Sequence, residues 1–268
     1  MFHLHKLPLL KVALAVVNLV LASLPWQLQA NQTEQLTFAA DRWCPFNCKP
    51  NSSLPGYTIE IIQRAYSPKY QVNFREMPWT RALRHSEKGV YQGVVGAVNG
   101  EAEGFIYPSE AIGRATQVLV MRNDSTWQYQ GIESLEELRI AVIANYDYGP
   151  AIDSYVSAKQ HKRNIITVRS DQPLVKMHKL LQEGRIDGYI EDKSVASYYS
   201  HQQGDNQKIR FAKEFASSLV YIAFSPSNPQ SRALSSQLSE AIVGMRETGE
   251  LEKILARYGL EDWQNSPD

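Results

Sequence analysis

Two short runs, Ile140-Ala141-Val142-Ile143 and Ile165-Ile166-Thr167-Val168, constrain this chain most. A strand that is apolar at nearly every position is buried on both faces. Parallel sheets with helices packed above and below supply that environment. Apolar stripes at helical spacing surround the runs. Ile59, Ile62 and Tyr66 form one, stopped by Ser67-Pro68. Leu174, Met177, Leu180 and Leu181 form another, ending near Gly184. Leu234, Leu238, Ala241, Ile242 and Met245 form a third, and Gly249 separates it from Leu251, Ile254, Leu255 and Tyr258.

Further strands are expected at Leu36–Ala40, Gln71–Phe74, Val94–Val95, Val118–Met121, Asp187–Ile190 and Leu219–Phe224, and helices at Trp79–Lys88 and Lys193–Ser200. Alternation of this kind defines an α/β fold with mixed, mostly parallel sheets. No internal repeat, low-complexity segment or Gly/Ser linker divides the chain, so any two lobes must be joined by crossing strands.

Residues 1–30 read as a secretory signal, cleaved near Ala30. Lys6 and Lys11 precede an apolar stretch, Val12–Leu24, which is shorter than the ~20 residues of a spanning helix. Periplasmic export is therefore expected. Beyond the leader, 26 basic residues face 28 acidic ones, and no basic cluster of the kind nucleic acid requires is present. The two cysteines, Cys44 and Cys48, suit a disulfide in an exported chain, with two free thiols as the alternative. Their spacing is not that of thioredoxin-type redox pairs, and no His or further Cys stands near them to complete a metal site. The histidines, His85, His161, His178 and His201, are scattered and expected at the surface.

The order of segments resembles the family 3 extracellular solute-binding proteins, the type II periplasmic receptors best known for amino acids. Trp43-Cys44-Pro45-Phe46 and Gly56-Tyr57-Thr58-Ile59-Glu60 look like the family's opening segment. Ser134-Leu135 and Arg139–Val142 look like the start of its second lobe. Gly184–Gly188 with Glu191-Asp192, then Tyr221–Ser225 and Glu247–Gly259, resemble its later segments. The resemblance implies a two-lobed fold with the ligand cleft between lobes. Residues 31–122 and 219–268 would form lobe 1 and residues 123–218 lobe 2. It also implies hinge closure on a small solute, an ABC permease or a sensor as partner, a monomer, and no cofactor or catalysis.

On this resemblance the ligand-binding residues are Trp43, Trp79, Arg81, Gly96, Ala97, Asn99, Tyr146 and Asp192. Trp43 offers a flat apolar face that attracts cations. Arg81 suits a carboxylate through its planar fork, or else makes a surface ion pair. Asp192 matches the acid that pairs with a ligand ammonium, and also suits an N-cap for the helix from Lys193. Tyr146 and Tyr148 follow the strand Ile140–Ile143, where α/β sheets bind ligands and a helix start favours an anion. The family's carboxylate-binding Arg is missing: the matching stretch reads Asn99-Gly100-Glu101-Ala102-Glu103. An anionic ligand would then fall to Arg81; otherwise the ligand lacks a carboxylate or is cationic. An enzyme on the same scaffold, a dehydratase or a lytic glycan-cleaving type, is the alternative. Its acids would come from Glu101, Glu103, Glu110 or Asp192. A free-standing receptor for a sensor is a third reading.

Overall fold

The computed structural model describes residues 34–265 except 99, 145, 160–163, 171 and 206. The leader read over 1–30, His161 and Asn99 lie outside the described residues. Eight strands form one sheet: β1 (Glu34–Ala40), β2 (Tyr70–Glu76), β3 (Gly93–Val98), β4 (Gly113–Arg122), β5 (Ile140–Ile143), β6 (Ile165–Val168), β7 (Gly188–Asp192) and β8 (Ile209–Phe224). Their spatial order is β2-β1-β3-β8-β4-β7-β5-β6. β1 pairs in parallel with β2 and β3, and β5 with β6 and β7. The central β3–β8, β8–β4 and β4–β7 pairs are antiparallel.

The helices are α1 (Tyr57–Tyr66), α2 (Trp79–Glu87), α3 (Pro150–Lys159), α4 (Pro173–Gln182), α5 (Lys193–Gln202), α6 (Ser231–Glu247) and α7 (Glu250–Ala256). Strand alternation divides the core into faces. In β5, Ile140 and Val142 join the cluster of Leu135, Ile152 and Tyr155, while Ala141 and Ile143 join that of Met177, Leu181 and Tyr189. Both faces are covered, which is why β5 is apolar throughout. In the other half of the sheet, Leu36 and Phe38 of β1 pack with Ile62, Leu238, Ile242 and Leu255 from α1, α6 and α7.

The structure departs from several expectations. The run Ile165–Val168 lies at the sheet edge, so Thr167 is exposed instead of buried. The strand expected at Leu219–Phe224 begins ten residues earlier, at Ile209. Its first part is half-exposed and carries little apolar signal. Phe105–Tyr107 is not a strand, and only Ile106 bridges, to Phe224. His178 is buried, with its Nδ1 and Nε2 each 3.4 Å from a partner, the Tyr189 hydroxyl and the Asp205 carboxylate.

β4 and β8 run through both halves and are bulged. Gln117 faces Ala216 but Val118 faces Glu214, which leaves Phe215 unmatched; Ala212 is unmatched in the same way. Bulges bend a strand and add twist. Among the described residues, no helix is long and apolar enough to cross a membrane.

Leu238 is fully buried and Leu219 is 38% exposed. Leu238→Ala is expected to cost roughly 2–5 kcal/mol in urea unfolding, whereas Leu219→Ala should stay within about 0.5 kcal/mol. Equal losses would contradict the described core.

Candidate functional site

The loop after β1 is a compact staple. Cys44 and Cys48 are joined in a disulfide, their Cα atoms 4.8 Å apart. Inside it, Trp43 and Asn47 exchange backbone hydrogen bonds of 2.9 and 3.0 Å. The Trp43 ring stacks on Phe46 with 3.9 Å between centroids. Asn47 Nδ2 donates to the Asp41 carbonyl at 2.6 Å. Gly56 closes the loop at φ +108°, and a Cβ there would fall 2.3 Å from the Phe46 oxygen, so only glycine fits.

Gly96 sits opposite this staple. It is the bulged residue of β3, at φ +92°, between Val95 facing Ile222 and Ala97 facing Tyr221. A side chain at Gly96 would start 3.4 Å from the Trp43 ring and 3.6 Å from Asn47 Oδ1. That oxygen is buried and has no hydrogen-bond donor. Ala97 itself points into the core beside Val94 and Ala223.

Two contacts join this side to the β5–β7 half of the sheet. The Tyr146 hydroxyl donates to Asp41 Oδ2 at 2.8 Å. The Trp43 side chain also stands beside the Glu191 carboxylate and favours its charged form. Burial pushes Glu191 up to about 8, helped by the negative charges of Asp192 and Asp41. Burial also raises Asp41 above its usual range, against the pull of the Tyr146 hydrogen bond.

Asp192 is wholly buried, and its carboxylate serves backbone groups. Oδ1 accepts from Val195 N at 3.0 Å and caps α5, and Oδ2 accepts from Thr116 N at 2.7 Å. Burial outweighs these bonds and holds its pKa at about 7. Trp79 is half-buried at the start of α2, and its side chain stands beside Glu101 and favours the charged carboxylate. Glu101 also accepts from Val98 N at 3.1 Å. Arg81 is exposed on α2. Glu110 lies 3.6 Å from Arg246, paired with the C-terminal helices. Tyr148 is buried, its hydroxyl accepting from Ile143 N at 2.6 Å.

The arrangement thus brings Trp43, Gly96 and Tyr146 together, with Asp192 behind them. Asp41, Asn47 and Glu191 were not singled out from sequence. Strand alternation held the signal for Glu191: neighbours in β7 point to opposite faces, so Glu191 and Asp192 cannot do the same work. A cavity of about 620 Å³ lies elsewhere, lined by Tyr57, Thr116, Lys193, Phe215 and Trp263. Among the described residues, no cluster of acids, His or Cys is arranged to hold a metal ion.

The model of the bacterial extracellular solute-binding proteins, family 3, matches residues 36–261. No curated protein matches the sequence. Among solved structures, one from work on glutathione import in Gram-positive bacteria via GshT and the cystine ABC importer TcyBC of Streptococcus mutans is 20% identical. It has a TM-score of 0.70 and covers 87% of this chain and 99% of its own. A histidine kinase sensor domain with similarity to periplasmic binding proteins is 17% identical, at TM-score 0.66, with 84% and 95% covered. The arginine-, lysine-, histidine-binding protein ArtJ from Geobacillus stearothermophilus is 16% identical, at TM-score 0.64, with 85% and 96% covered. These likenesses establish the two-lobed type II periplasmic binding protein fold.

The buried acids set a pH dependence. Glu191 at about 8 and Asp192 at about 7 hold protons that the unfolded chain releases near pH 4. Their contribution to stability is full below that pH and is lost as pH rises to about 8. In the ligand-free protein, calorimetry should therefore show Glu191→Gln with a flatter fall in Tm between pH 5 and 8 than the wild type. Parallel curves would contradict the assignment.

Proposed function

This chain belongs to the bacterial extracellular solute-binding proteins, family 3, and from that membership we propose that it is an exported periplasmic receptor. It captures a small polar solute, an amino acid or a related amine or organic acid, by hinge closure and delivers it to an ABC-type importer. Lobe 1 comprises residues 31–122 and 219–268, and lobe 2 residues 123–218. The cleft lies between them, and the protein binds its ligand without converting it. Trp43, Gly96 and Tyr146 contact the solute, with Trp79 and Arg81 nearer the mouth.

The observation that carries this reading is the hydrogen bond from one half of the sheet to the other, Tyr146 to Asp41, with Trp43 standing beside Glu191. Side chains from both halves meet there around the bare backbone of Gly96. The halves share the continuous strands β4 and β8. That geometry suits two bodies closing on a molecule through a bend in two strands. A second reading, a receptor that serves a sensor, draws on the likeness to a histidine kinase sensor domain.

A solute library screened by thermal denaturation tests the proposal. A ligand at 100 times its Kd adds about 2.7 kcal/mol of stability and should raise Tm by several degrees. Trp43→Ala should weaken binding of the same solute roughly tenfold or more, without lowering the Tm of the free protein by a comparable amount. The reading would be abandoned if no amine, amino acid, peptide or organic acid shifted Tm, or if a bound solute were consumed.

A further inference from the structure

We propose that the cleft takes a small organic cation that carries no carboxylate, such as a diamine or a guanidino-amine, its cationic nitrogen held among Asp41, Glu191 and Asn47 beside the Trp43 ring. This rests on the receptor reading above and names the chemical class of its ligand.

The first ground is a count of donors and acceptors. The side-chain donors described at the site face the chain's own acceptors: Tyr146 donates to Asp41, Asn47 Nδ2 to the Asp41 carbonyl, and Trp43 and Trp79 stand beside Glu191 and Glu101. Asp41 accepts from Tyr146 on Oδ2 and Glu191 from Asp192 N on Oε1, and with two oxygens each carboxylate keeps further acceptor capacity. Burial holds a proton on Glu191 in the free protein, and a cation beside it favours the ionised form, which only accepts. Asn47 Oδ1 adds an independent sign. It is a neutral acceptor on a residue 1% exposed, without any donor, directed at the space beside Gly96 and the Trp43 ring. A buried acceptor left unmatched is destabilising, and a ligand N–H restores the bond.

The second ground is the state of the anion site that the fold offers. The chain entering α3 after β5 is where a ligand carboxylate would meet free backbone N–H groups. Here the N–H of Gly149 is held by Asp147 at 2.7 Å and that of Tyr148 by Asp153 at 3.2 Å. Pro150, the first residue of α3, has no N–H. The chain's own acids already occupy the place of an anion.

The third ground is where the neighbouring cations point. Arg42, next to Asp41, pairs with Glu76 at 2.8 Å. Lys193, next to Asp192, pairs with Glu214 at 2.5 Å. Arg81 is exposed on α2. The charges that bear most on Asp41, Glu101 and Glu191 are further acids: Glu76 on the first, Asp147 and Asp41 on the second, Asp192 and Asp41 on the third. A carboxylate brought here meets repulsion from these acids. An ammonium or guanidinium meets acceptors on both sides and an indole beside it.

Two pairs of compounds that differ only in a carboxylate provide the test: agmatine against arginine, and cadaverine against lysine. Isothermal titration of the purified protein should give at least one amine a Kd ten or more times below that of its parent amino acid. Asp41→Asn and Glu191→Gln should each weaken that amine tenfold or more. Glu110→Gln, which removes an acid paired with Arg246 outside the cleft, should bind it within about threefold of wild type, and so separates loss of a cleft charge from loss of overall charge. Amino acids binding as well as or better than the amines would overturn the inference and leave the receptor reading intact. So would a different solute binding while all four compounds fail. No binding by any solute in the wider library would overturn both.

Discussion

Both halves of the sheet hang on one ladder, the antiparallel pairing of Gly113–Arg122 with Ile209–Phe224. Strands β1 to β3 reach the rest only through β8, and β5 to β7 only through β4. The ladder is regular at its ends and broken near its middle, where Phe215 and Ala212 have no partner across the pair. A bulge relaxes the pairing locally while the strand continues, so the bend of the ladder concentrates there. Trp43 packs against the cluster of α1, α6 and α7, and Tyr146 against the clusters on either face of β5.

The parts of the fold legible in the sequence are those where one physical demand dominates. β5 is covered on both faces, so its four residues are all apolar, and α6 is covered along one stripe, so its apolar residues recur at helical spacing. Legibility fails where two demands compete. β6 shares the apolar pattern of β5 yet lies at the edge, because local composition does not reveal how many neighbours a strand has. The first half of β8 is read by nothing local, since its residues are half-buried or exposed and follow no apolar alternation. α3 was missed for a similar reason, as only Ile152 and Tyr155 of its apolar residues are fully covered.

The cleft shows the same limit at the level of single residues. Trp43, Gly96 and Tyr146 stand out in sequence because their surroundings are distinctive, and the fold brings Trp43 against Gly96 and Tyr146 against Asp41. Asp41 and Glu191 were passed over, although each lies within two residues of a position that was named. Asp192 drew attention as a strand-end acid, yet its two oxygens bind the backbone of α5 and β4. Acids are cheap to find in sequence; the hydrogen bonds that decide whether an acid faces a ligand or the protein's own main chain come from elements 70 to 150 residues away. Asp41 meets its donor at Tyr146, and Asp192 meets one of its own at Thr116.

The staple between Cys44 and Cys48 closes a very short loop, and such a link contributes at the low end of what disulfides give, about 2 kcal/mol in the chain-entropy picture. Its larger effect is on where Trp43 stands. The residues it encloses hold the indole against Phe46 and, through Asn47, hold the backbone of Asp41. The setting of Trp43 is therefore coupled to the redox state of its surroundings. In an oxidising compartment this loop is fixed once the bond has formed, and its ordering entropy is charged to folding.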